Sequence, residues 1–100
     1  MKKTSVIFRT FKKNNGDVIA LFPFIPSDNH GWYCESYMHV GQHSGASQDI
    51  VRRGITRPST TDEITPLLNE LIRIGYTNLR ILKRFPHNAY DVRRELCRDA

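Results

Sequence analysis

The chain has 100 residues, 15 Lys and Arg against 10 Asp and Glu, a formal charge of +5 and 39% apolar residues. This length fits one domain with one modest core, and the apolar fraction excludes wholesale disorder and fibrous repeats. No apolar run approaches the roughly 18 residues of a membrane span, and Met1-Lys2-Lys3 leads into a polar stretch unlike a secretory signal, so a cytoplasmic protein without membrane contact is expected.

Residues 5–11, rich in β-branched and aromatic types, read as a first strand, and Val18–Phe22 as a second that Pro23 and Pro26 end. Between them Asn15-Gly16 carries the strongest short signal for a two-residue hairpin turn. That turn pairs Lys13 with Val18 and Phe11 with Ala20. It puts Ile7, Phe11, Ala20 and Phe22 on one face and Val6, Phe8, Ile19 and Leu21 on the other. Both faces are apolar apart from Arg9 and the lysines, so each needs a cover.

Ser27–Gly31 is loop chemistry, and Trp32–Val40 reads as a third strand. It would carry Tyr33, Glu35, Tyr37 and His39 on one side, Cys34, Ser36, Met38 and Val40 on the other. Gly41–Ser47 breaks it. Gln48–Pro58 is a basic connector with room for a short strand at Ile50-Val51. The clearest element is a helix: Thr60 and Glu63 have capping-box spacing, and Ile64, Leu67, Leu68, Leu71 and Ile72 form one apolar stripe ahead of Gly75. Pro66 gives a second legitimate start, with Thr65 as N-cap, or else a bend in the first turn. Tyr76–Phe85 reads as the last strand. A terminal helix follows Asn88, with Ala89, Val92, Leu96 and Cys97 inward. The order β-β-β-α-β-α predicts an α+β domain, a small, mostly antiparallel sheet packed against one main helix. The terminal helix, or a second subunit in a homodimer, would cover part of the other face.

Three stretches are similar to a family of small proteins of bacteria, their phages and plasmids to which no activity is assigned. They are Phe8–Phe11 with Asp17–Pro23, Ser36–His43, and Thr56–Thr60 running on to Ile74–Tyr76. The similarity spans most of residues 6–85. It implies a cytoplasmic protein of a bacterium or its mobile elements, for which an accessory or counter-defence role is the natural expectation, and carries over no catalytic residue.

Charge is concentrated in the second half. Residues 1–50 carry 5 basic and 4 acidic side chains, residues 51–100 carry 10 and 6, and nine of those ten are Arg. The guanidinium fork suits phosphate and carboxylate. Arg52, Arg53 and Arg57 in the connector, Arg80, Lys83 and Arg84 on the last strand, and Arg93, Arg94 and Arg98 on the terminal helix form three clusters. They point to nucleic acid or an acidic protein as partner, with Trp32, Tyr33 and Tyr37 as stacking faces. The plainer reading is a charged face that keeps a small domain dispersed.

His39, Gln42 and His43 are the densest polar string, and Cys34 and His30 offer further ligands. Their spacing matches no zinc pattern, and a structural turn explains them as well. Cys34 and His39 fall on opposite faces of a strand, against a thiol–imidazole pair. Cys34 and Cys97 form no disulfide framework and are expected as free thiols. The sequence therefore favours a non-enzymatic binding protein without metal or cofactor. The alternatives are a small metal-dependent or thiol enzyme around His39, His43 and Cys34, or an obligate dimer with a structural or inhibitory role.

Overall fold

The computed structural model describes residues 3–13, 16–38, 43–46 and 49–98. The strands are β1 (Thr4–Phe11), β2 (Val18–Pro26), β3 (Cys34–Tyr37), β4 (His43–Ala46), β5 (Thr56–Pro58) and β6 (Leu79–Ile81). The helices are α1 (Asp49–Arg52), α2 (Thr61–Arg73) and α3 (Ala89–Cys97). The result is an α+β domain built on one sheet in the order β4-β3-β2-β1, with β5 and β6 sharing the free edge of β1. All pairings are antiparallel except β1 with β6.

The first hairpin forms, but in another register. Phe8 faces Ala20 and Thr10 faces Val18, and the Phe11 N–H donates to the Asp17 carbonyl at 2.8 Å. The connection is therefore the five residues 12–16, not a two-residue Asn15-Gly16 turn. An odd shift exchanges the faces of one strand relative to the other. Val6 and Phe8 accordingly join Ala20 and Phe22, while Ile7 joins Ile19 and Leu21. With both faces apolar, either register buries the same side chains, and pattern alone does not choose between them.

Each face has its own cover. Leu67 and Leu71 of α2 pack on Val6, Phe8, Ala20, Phe22 and Tyr37. The opposite face, with Ile7, Ile19, Leu21, Cys34 and Ala46, is met by Ile50 and Val51 of α1 and by Leu82 and Phe85 after β6. The capping box of α2 forms as its spacing predicts: Glu63 N–H donates to the Thr60 hydroxyl, and the Glu63 carboxylate accepts from the Thr60 N–H. The helix starts at Thr61, so Pro66 lies inside it rather than at its first position.

Several expected boundaries move. The third strand shrinks to Cys34–Tyr37, leaving Trp32 and Tyr33 exposed in the loop before it. Residues 43–46, read as a break, form the edge strand β4. Ile50-Val51 lies in α1, and the connector's strand is β5 instead. The last strand is three residues long.

Helix α3 buries Ala89 as expected and half-buries Val92 and Cys97, but its C-terminal half is rolled away from the expected face. Leu96 is 62% exposed, whereas Arg93 is 1% exposed. Arg93 Nε donates to the Gly31 carbonyl at 3.0 Å and Nη1 to the Pro23 carbonyl at 2.7 Å, which holds α3 against β2 and the β2–β3 loop. Gly31 permits this approach. It has φ +76°, and a Cβ there would lie 2.8–2.9 Å from the backbone of Arg93 and Arg94. Among the described residues no helix is long and apolar enough to cross a membrane.

Candidate anion-binding cleft

The free edge of β1 forks. Its first half pairs with β6 through Thr4–Val6, and its second half with β5 through Arg9–Phe11. The two partners part at Ile7 and Phe8. The flanking backbone bonds are Leu82 N–H to the Val6 carbonyl at 2.8 Å and Ser59 N–H to the Phe8 carbonyl at 3.3 Å. β6 meets this edge in parallel and β5 antiparallel, and the sheet opens between them. The opening is a cleft of about 810 Å³. Ile7 and Phe8 lie at the fork, Ser59 and Ile64 line one side, and the segment Leu82–His87 lines the other.

Three cations line this cleft, Arg9, Lys83 and Arg84, together with His87, and among the described residues no acidic side chain does. Arg9 is 8% exposed. Its Nε donates to the Thr56 hydroxyl at 3.0 Å and its Nη2 to the Thr56 carbonyl at 2.9 Å; neither bond uses Nη1. The Thr56 hydroxyl donates its one proton onward to the Ile50 carbonyl at 2.6 Å, which orients its oxygen toward Arg9 Nε and fixes the guanidinium plane. Burial lowers the Arg9 pKa, and among the described residues no carboxylate is paired with it. A buried guanidinium held only by neutral groups favours an incoming anion or strong acceptor.

The predicted cations separate into different settings. Lys83 and Arg84 reach the cleft, and Arg80 is exposed on β6 beside it. Arg57 is bound to Glu63 by two hydrogen bonds of 2.7 and 2.6 Å, which makes it a clamp between β5 and α2 rather than a free docking charge. Arg52 closes α1, and Arg53 follows it, exposed. Arg94 and Arg98 lie in a second groove with Trp32, Tyr90 and His30. There the Trp32 and Tyr90 ring centroids are 5.5 Å apart, and the Arg94 guanidinium lies 5.5 Å from the Tyr90 centroid. The exposed charges of α3 cancel, since Asp91 and Glu95 flank Arg94 and Arg98. Of the proposed stacking residues, Trp32 is 59% and Tyr33 48% exposed, but Tyr37 is buried in the α2 core.

No family model, no curated protein and no solved structure matches this chain.

His39 and Gln42 lie outside the described residues, as do two of the four residues of the Lys13–Gly16 turn region, Asn14 and Asn15. His43 opens β4. Among the described residues no group of three or more His, Cys, Asp or Glu is placed to hold a metal ion. Cys34 and Cys97 are free. Cys34 is fully buried, and burial pushes its thiol up to about 11 against the smaller opposing pull of Arg93. A thiol so protonated at neutral pH lacks the thiolate that nucleophilic catalysis needs. Arg9 and Tyr90 were not singled out by the sequence. The signal for Arg9 was its place among inward-facing Ile7 and Phe11; for Tyr90 it was the i, i+4, i+8 spacing with Arg94 and Arg98.

Proposed function

We propose that this protein is a non-enzymatic binding protein that docks on nucleic acid through the cationic cleft at the fork of β1. The observation that carries the reading is the charge balance of the cleft: three cations, one of them buried, and no acid among the described residues that line it. Arg80 extends the same charge along β6. The second groove offers Arg94 and Arg98, but neither is buried, and Asp91 and Glu95 flank the same two cations on α3, which weakens their attraction. The resemblance read from the sequence over most of residues 6–85, to small proteins of bacteria, their phages and plasmids, would give such a binder a cytoplasmic accessory or counter-defence setting.

Affinity for a single strand should fall steeply with salt, with a log–log slope of roughly −0.7 for each phosphate contacted. Arg80→Glu, Lys83→Glu and Arg84→Glu together should remove binding while leaving the fold intact, because all three side chains are exposed. Fluorescence anisotropy with labelled oligonucleotides at several salt concentrations reads both effects. Unchanged binding by the triple variant overturns the reading, and binding only to an acidic polypeptide such as polyglutamate replaces the nucleic acid with a protein partner.

A further inference from the structure

The cleft has a feature that phosphate attraction does not use. Ile7, Phe8, Ile64, Leu82 and Phe85 make most of its lining apolar, and its one buried cation, Arg9, is reached only by a group that enters. Lys83 and Arg84 are exposed where they line it. A duplex presents sugar and phosphate outward and keeps its base faces stacked, so it can meet the exposed cations but leaves the apolar walls wet. An unpaired nucleotide offers both chemistries: a π-face for the walls, edge acceptors for a guanidinium, and a phosphate for Lys83 and Arg84. A volume of about 810 Å³ falls in the range of small-ligand sites.

We infer that the cleft accepts a single unpaired nucleotide, its base sheltered between the walls with an acceptor atom on Arg9 and its phosphate between Lys83 and Arg84, so that the protein selects single strands over duplex. This rests on the anion-binding reading above and goes beyond it in naming the recognised unit.

The test compares a labelled single-stranded 12-mer with a hairpin duplex of the same composition at one salt concentration, then adds adenosine 5′-monophosphate, adenosine or inorganic phosphate as competitor. The single strand should bind roughly tenfold or more tightly, in line with one base stacked on a protein surface. Adenosine 5′-monophosphate should displace it at concentrations where adenosine and phosphate alone do not. In amide NMR spectra the nucleotide should shift Ile7, Phe8, Arg9, Ser59 and Leu82. Equal binding of strand and duplex, both lost in Arg84→Glu, would overturn the insertion of a base while leaving electrostatic docking in place. Nucleotide-induced shifts confined to Trp32, Tyr90 and Arg94 would also overturn it, and no binding of any nucleic acid removes both readings.

Discussion

Arg93 offers the sharpest test of how this fold is held together. It is 1% exposed, and no acidic side chain is paired with it among the described residues. Replacing it with Met keeps the apolar stem and removes the guanidinium. Two effects then compete. The variant no longer desolvates a charge, which favours it. It also leaves the carbonyls of Gly31 and Pro23, both buried, without the donors that reach them at 3.0 and 2.7 Å. Charge-assisted hydrogen bonds contribute about 1.5–3 kcal/mol each, and orphaned buried acceptors cost about 1–3 kcal/mol each, so the loss outweighs the relief. We expect Arg93→Met to destabilise by about 3 kcal/mol, a drop in Tm of at least about 12 °C for a chain of this size. Arg93→Lys keeps the charge but offers one donor atom in place of a fork, and should lose about half as much. Urea unfolding followed both by far-UV circular dichroism and by the fluorescence of Trp32, the single tryptophan, reads the effect. Trp32 sits against Tyr90 of α3, so its signal reports the docking of that helix. A Met variant within about 0.5 kcal/mol of the parent would refute the reasoning, because α3 would then be held by packing alone.

Three further outcomes follow from the same geometry. Gly31→Ala combines a positive φ with a backbone clash and should cost about 2–4 kcal/mol by urea titration, whereas Gly54→Ala, at φ +71° with its nearest neighbour at 3.9 Å, should cost only the conformational part, about 1–2 kcal/mol. Equal losses would mean that α3 gives way freely. Hydrogen bonds from Arg57 and from the Thr60 backbone hold the Glu63 carboxyl down at about 2, so the stability it contributes is present above pH 4.5 and is lost as pH falls toward 2. The NMR titration midpoint of Glu63 should rise in Arg57→Gln; an unmoved midpoint would contradict the pairing. For Cys34 the sign is opposite: its folded pKa is raised to about 11, so stability is intact below about pH 9 and falls as pH climbs toward 11. Cys34→Ala should flatten that fall, and iodoacetamide at pH 8 should modify Cys97 alone until the protein is unfolded; rapid labelling of both thiols in the native state would show that Cys34 is accessible.

Legibility in the sequence tracked how far each signal was local. The α2 capping box and apolar stripe lie within a few residues; the box forms as read, and the stripe buries Leu67 and Leu71 while Ile72 at its end stays exposed. The hairpin register depended on which side of a doubly apolar ribbon each neighbour would cover, information held by α2, α1 and the Leu82–Phe85 segment far along the chain. β4 and β5, four and three residues long, exist because a paired edge was available, not because His43–Ala46 or Thr56–Pro58 carries strand periodicity. The inward turn of Arg93 was hidden because a cation on a helix reads as exposed unless its carbonyl partners, 62 and 70 residues away, are known. At the site, Lys83 and Arg84 were read from their type and spacing. Arg9 was not, since only the fork turns a strand cation into the base of a cleft.

The forked edge also sets the order in which the chain can complete itself during synthesis. β1 is made first but receives its last neighbour only at Leu79–Ile81, and the donors of Arg93 arrive later still. Until then the hairpin has emerged with apolar side chains on both faces and an unpaired edge, the surface on which nascent chains associate wrongly. Such closure from the far end of the sequence makes folding slow relative to a local hairpin and leaves the first half dependent on the second. Truncation before α3 should therefore yield not a smaller domain but an aggregating one.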